Sequence, residues 1–130
     1  MRHALLVGPL ALALVVAGAG CDKKPPKLVP VSGKLVYKDK PLANTMIQFN
    51  PVELDKNAVL ANATTGQDGS FKLRSYPYGD GAKPGQYKVF ITPYPGSPPV
   101  PAKYTTPEKT SLEATIAEEG NDNLVLTLKD

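Results

Sequence analysis

The chain carries one cysteine, one histidine and no tryptophan in 130 residues. A single thiol, Cys21, leaves no disulfide to close within the chain. The one histidine is His3, so everything after it lacks an imidazole, the usual general base near neutral pH. That removes a Ser-His-Asp or Cys-His pair. It also removes a zinc site built on histidine and cysteine. The excess of one charge over the other is small as well. Fifteen Lys and Arg stand against twelve Asp and Glu, for a formal charge of +3. Such a balance lacks the basic footprint of a nucleic-acid binder. No segment holds a helical period over several turns. The sequence thus assigns no catalytic residue, no metal and no cofactor, and an enzyme is not expected.

What is present begins with residues 1–20. Arg2 and His3 are a short basic start, residues 4–16 are an apolar run, and Ala17, Gly18, Ala19 and Gly20 are small. This reads as an export signal rather than part of a fold. Cys21 follows at once, and the arrangement resembles that of bacterial lipoproteins, whose cysteine is diacylated and becomes the first residue. Cys21 is therefore the expected lipid attachment, with the membrane as its first partner. Gly18 stands where lipoproteins usually carry an aliphatic residue. A rival cut lies after Ala19, because Ala17-Gly18-Ala19 fits an ordinary signal peptidase. An uncleaved anchor is the third reading. A spanning helix needs about 20 strongly apolar residues, and this run is shorter and broken by Gly8-Pro9. The expected place is the bacterial cell envelope, with inner or outer membrane left open.

Residues 21–28 read as a Lys/Pro linker, stiffened by Pro25-Pro26. Lys23, Lys24, Lys27, Lys34, Lys38 and Lys40 crowd this part of the sequence. Lysines beside a lipid anchor gain roughly 1 kcal/mol each at an anionic surface. Residues 29–130 are the size of one small domain. Apolar residues alternate with polar ones in seven runs: around Val31 and Leu35, Ile47 and Phe49, Ala61 and Ala63, Phe71 and Leu73, Val89 and Ile91, Ala114 and Ile116, and Leu126 and Leu128. A period of two lays each set on one face of a sheet. Seven short strands predict an all-β, seven-stranded sandwich. Asp68-Gly69 signals a hairpin before Phe71. Gly120-Asn121-Asp122 signals a turn between the last two strands. Residues 93–110 hold six prolines and form the longest irregular stretch.

These residues resemble a known group. Gly33-Lys34-Leu35, Lys40-Pro41-Leu42 and Ile47-Gln48-Phe49 resemble the opening of carboxypeptidase regulatory-like domains. The run from Thr65 through Asp68-Gly69 to Phe71 fits their T-x-x-D-G-x-F turn, and Pro84-Gly85-Gln86-Tyr87-Lys88-Val89 their P-G-x-Y-x-V turn and strand. Pro101-Ala102-Lys103-Tyr104, Ser111-Leu112 and a closing β-hairpin look like the version in small planctomycete lipoproteins. The resemblance implies a transthyretin-like Greek-key sandwich, related in architecture to Ig-like domains. It implies an accessory module without catalytic residues. Transthyretin-like hydroxyisourate hydrolases are similar in fold, but they use histidines.

Tyr37 and Tyr87 fall on core parity, while Tyr76, Tyr78, Tyr94 and Tyr104 fall in Pro/Gly loops. A tyrosine joins a rigid apolar face to a polar tip, which suits a partner surface. These four are the candidate contacts; the bland alternative is that the rings pin their loops. Glu118, Glu119 and Asp122 lie around one turn and are a weak Ca²⁺ possibility. The expectation is a non-enzymatic, lipid-anchored envelope domain that meets another protein through loops or an open sheet edge. The alternative is a carbohydrate-binding module for envelope glycans. The lack of tryptophan weighs against that alternative.

Overall fold

The computed structural model describes residues 25–54 and 56–130. The expected export segment and lipid attachment at Cys21, together with Lys23 and Lys24, lie outside these described residues. Two sheets pack face to face. One holds β1 (Val31–Tyr37), β2 (Lys40–Pro41), β5 (Ser70–Lys72) and β10 (Asn121–Leu128). The other holds β3 (Thr45–Pro51), β4 (Ala61–Thr64), β6 (Arg74–Ser75), β7 (Gly79–Asp80), β8 (Gly85–Pro93) and β9 (Glu113–Ile116). The protein is an all-β sandwich. In the larger sheet the order is β7-β6-β4-β3-β8-β9. In the smaller, β1 is central, with β10 parallel on one side and β5 and β2 antiparallel on the other.

The period of two explains the core. Val31, Leu35, Phe71, Leu126 and Leu128 face inward from the smaller sheet, and Ile47, Phe49, Val89 and Ile91 from the larger. Phe49 ties the layers together. Its ring centre lies 6.4 Å from that of Phe71 and 5.8 Å from that of Tyr87, both tilted. Burying rings this way is worth more than their area alone.

Two turn readings and one strand reading are corrected. Asp68-Gly69 does make a tight turn, since Gly66 N–H bonds Ser70 O and Gly69 N–H bonds Gly66 O. It does not join a hairpin: β4 pairs with β3 and β6, whereas β5 pairs with β1. The turn carries the chain from one sheet to the other. Gly69 sits at φ 77°, and a Cβ there would lie 2.8 Å from Leu35 O, so the turn presses against β1. The closing hairpin is likewise absent. β9 pairs with β8 and β10 with β1, so the turn at Gly120 again changes sheets. The run from Phe71 to Arg74 is two strands. Leu73 is the corner, its N–H bonding Val31 O and its C=O accepting from Gly81. Inward parity survives the corner, because Phe71, Leu73 and Ser75 are all buried. Alternation reports which face is buried, not which neighbour supplies the hydrogen bonds.

β1 folds back on β2 through Lys38 and Asp39, at φ 51° and 60°. A two-residue loop with both centres left-handed favours Asn-Gly. The double variant Lys38→Asn, Asp39→Gly is expected to raise stability by about 1 kcal/mol, because each residue bears a left-handed penalty here. Urea unfolding checks it as an upward midpoint shift.

The strand directions define two ends. β1 and β10 both start where residues 25–30 lead in, and Asn121 N–H bonds Pro30 O there. Val29 and Ala82 exchange both backbone bonds, at 2.9 and 3.0 Å. The β3–β4 loop (52–60), the β6–β7 turn (76–78), the start of β8 and the turn after β9 share this near end. The far end holds the β1–β2 turn, the start of β3 and the long loop between β8 and β9.

Candidate interaction site

The four loop tyrosines part company. Tyr76 and Tyr78 sit in the near-end turn, 88% and 52% exposed, on either side of Pro77, whose peptide bond to Tyr76 is cis. Tyr94 is at the far end and only 36% exposed. Tyr104 is a correction. It is 3% exposed and belongs to the core cluster. Its hydroxyl donates to Lys129 O at 3.0 Å and accepts from Lys129 N–H at 2.8 Å. The short turn Ala102–Tyr104 drives this ring inward as a plug between the proline loop and the end of β10. The surface of a ligand site is therefore not available to it. A phenol three residues after Pro101 gives no sign, from sequence, of which way it points.

The proline loop is tied down elsewhere too. Ser97 Oγ donates to Asn44 O, and Thr110 Oγ1 donates to Val89 O at 2.6 Å. Such bonds suit a fixed rim better than a mobile binding loop.

Two shallow hollows mark the surface of the described residues near the candidate loops and the smaller sheet. The near-end cleft, of about 330 Å³, runs between the β3–β4 loop and the start of β8. Its walls are Pro51, Val52, Val59 and Pro84, with Glu53 and Lys83 at the rim. Tyr87 closes its floor, donating to Lys83 O at 2.6 Å, and burial pushes that phenol up. Lys83 Nζ bonds Asn57 O at 3.2 Å and fastens the loop to β8. The second, of about 430 Å³, lies outside the smaller sheet between Lys34, Lys72 and Asp122. Beside it the Asp68 carboxyl is held below its ordinary range by hydrogen bonds from Ser70 Oγ and N–H. Neither hollow gathers a nucleophile with a base.

The lysine crowding of the sequence is also dispersed. β1 carries Lys34 to the outer sheet face, and Lys38 and Lys40 end at the far-end turn. There Lys38 Nζ approaches Asp130 Oδ1 at 3.7 Å, and Tyr37 donates to the same oxygen at 2.6 Å. That hydrogen bond raises the Tyr37 phenol and lowers the Asp130 carboxyl. Glu118, Glu119 and Asp122 do not gather into a three-ligand group among the described residues.

The strand edges differ sharply. β7 and β2 are two residues each and carry Asp80, Lys40 and Pro41. β9 has Glu113, and β5 has Lys72. Charges, prolines and shortness blunt edges against unwanted pairing. β10 is different. It has eight residues, pairs among the described residues with β1 alone, and reads Asn-Leu-Val-Leu-Thr-Leu from Asn123 onward without a charge or proline. Val125, on its outward face, is 55% exposed. Tyr104 caps only its far tip. Sequence reasoning placed β10 correctly on parity but missed that it lies at an edge, since edge position depends on pairing partners.

No family model matches the sequence, and no curated protein and no solved structure matches the chain.

Proposed function

We propose that the chain is a lipid-anchored accessory module of the bacterial cell envelope that holds another protein by strand addition to β10. The observation that carries this is the long β10 edge, uncharged from Asn123 onward and unpaired among the described residues. An incoming strand would find a row of backbone donors and acceptors, with Val125 beside them for an apolar side chain. Cys21 would bear the lipid and residues 22–28 would set the stand-off. The small residues before Cys21 and the resemblance to carboxypeptidase regulatory-like domains support the same reading. No catalysis is proposed, because His3 is the only histidine and falls in the export segment. The glycan reading is weakened by the burial of Tyr104, which leaves its remaining rings at opposite ends.

Crosslinking in cells followed by capture from detergent-solubilised envelopes tests it. A defined protein should be recovered with the wild type. Val125→Lys should lower its recovery at least about tenfold, since a lysine on the outward face guards an edge. The substitution is at an exposed site and should change stability by no more than about 0.5 kcal/mol. Equal recovery by wild type and Val125→Lys would defeat the assignment of β10. Crosslinks between copies alone would replace the partner by a second copy.

A further inference from the structure

The exposed apolar side chains are not scattered. Of the seven large ones among the described residues, Val52, Leu54, Leu60, Tyr76 and Tyr78 lie in near-end loops, and Tyr94 and Val125 lie elsewhere. Leu54 is 77% exposed. Contiguous exposed apolar surface of this kind marks a contact site. The β4–β6 register sets Asn62 opposite Arg74, so the loop that ends at Leu60 and the turn that begins at Tyr76 leave neighbouring strands at the same end. The two loops thus form one surface.

We propose that this near end lies against the membrane, with Leu54, Leu60, Tyr76 and Tyr78 in the lipid headgroup layer. The proposal rests on the lipid-anchored reading and adds an orientation to it. The occupant is argued from where the chain leaves the domain. Residues 25–28 emerge at the near end, because Val29 is fixed there by Ala82. Eight residue steps separate Cys21 from Val29, a reach of at most about 28 Å. Val29 to Tyr37 is another eight steps, about 26 Å of strand. Only a fully stretched tether laid along the whole sandwich would let the far end touch the bilayer. Tyrosine is also the residue type, with tryptophan, that settles at headgroup level.

Charge does not drive this contact. At the near end Lys27, Lys56, Arg74 and Lys83 are matched in number by Glu53, Asp80, Glu118 and Glu119. Arg74 pairs with Asp80 at 3.1 Å. With these charges in balance, the attraction comes from apolar side chains, as for other interfacial segments. The near-end contact should then persist at high salt and on membranes without anionic lipid.

The lack of tryptophan makes a single reporter clean. Leu54→Trp and Tyr76→Trp place it at the near end, and Tyr94→Trp at the far end; all three sites are exposed enough to keep the fold. The mature protein, purified from its native membranes, is reconstituted into vesicles of zwitterionic phospholipid with brominated acyl chains. The near-end reporters should be blue-shifted and quenched several-fold more than Tyr94→Trp, at low and high salt alike. Intact mass of the same sample reads the N-terminus. A lipidated Cys21 with all three reporters equally unquenched would overturn the orientation and leave the anchor standing. An unmodified N-terminus would remove the anchor. In that case quenching of the near-end reporters would still uphold the apolar contact, and its absence would end it.

Discussion

Tyr104→Ala is expected to cost about 4 kcal/mol, as other large aromatic-to-alanine changes in cores do. The ring is 3% exposed and shares the core cluster with Leu126 and Leu128. Truncation opens a cavity at the far end and strips Lys129 of both backbone partners. A domain of this size is stable by about 5–15 kcal/mol, so the variant sits close to unfolding. With a urea slope of about 1–3 kcal/mol per molar, the midpoint should fall by at least about 1.3 M. Tyr104→Phe separates the two contributions. It keeps the packing, loses the hydroxyl, and should cost about 1–2 kcal/mol. Tyr94→Ala, at a partly exposed ring, should change stability by no more than about 1 kcal/mol. If Tyr104→Ala and Tyr94→Ala were equally mild, Tyr104 would be a surface residue after all.

The contrast between these two tyrosines shows what could be read in advance. Parity along a strand is a local property, and it identified Leu35, Ile47, Phe49, Val89, Leu126 and Leu128 as inward before any partner was known. Tyr104 follows no strand, so nothing local fixed its direction. The sheet-switching turns failed for a related reason. Asp68-Gly69 and Gly120 supply the backbone bend that a hairpin needs, and the same bend serves a crossing between layers. Which of the two occurs is decided by β1, distant in sequence from both, as it takes β5 on one side and β10 on the other. The lysine run illustrates the same limit for electrostatics. A strand moves about 3.3 Å per residue, so Lys27 and Lys40, close in the sequence, finish at opposite ends. The candidate edge and the apolar near end were both invisible at that level, because each is assembled from segments far apart in the chain.

Gly33→Ala should be as damaging as any core truncation, at about 3 kcal/mol or more. The position looks harmless, since alanine is small and β1 is extended. Its surroundings say otherwise. β1 moves two residues from Val31 to Gly33 while β10 moves three, from Asn121 to Leu124. This irregularity brings Leu124 O over Gly33, within 1.9 Å of where a Cβ would stand. The obstacle is backbone, so no side-chain rotation relieves it. On the other flank Gly33 is paired with Phe71, so β1 has little room to retreat. A one-residue slip of β10 offers no escape, because it would turn Leu126 and Leu128 outward. The remaining response is for β10 to loosen from β1 over its first half. Hydrogen exchange should therefore accelerate at β10 amides more than at β3 or β8, alongside a lower urea midpoint. Lys34→Ala, next door on the exposed face, should leave both nearly unchanged. Unaltered protection in β10 with Gly33→Ala would show that the two strands are not closed as described. Loss of partner capture in this variant is also expected, because a frayed β10 cannot template an added strand. Val125→Lys isolates that loss from stability, since it changes the edge and leaves the Gly33–Leu124 contact intact.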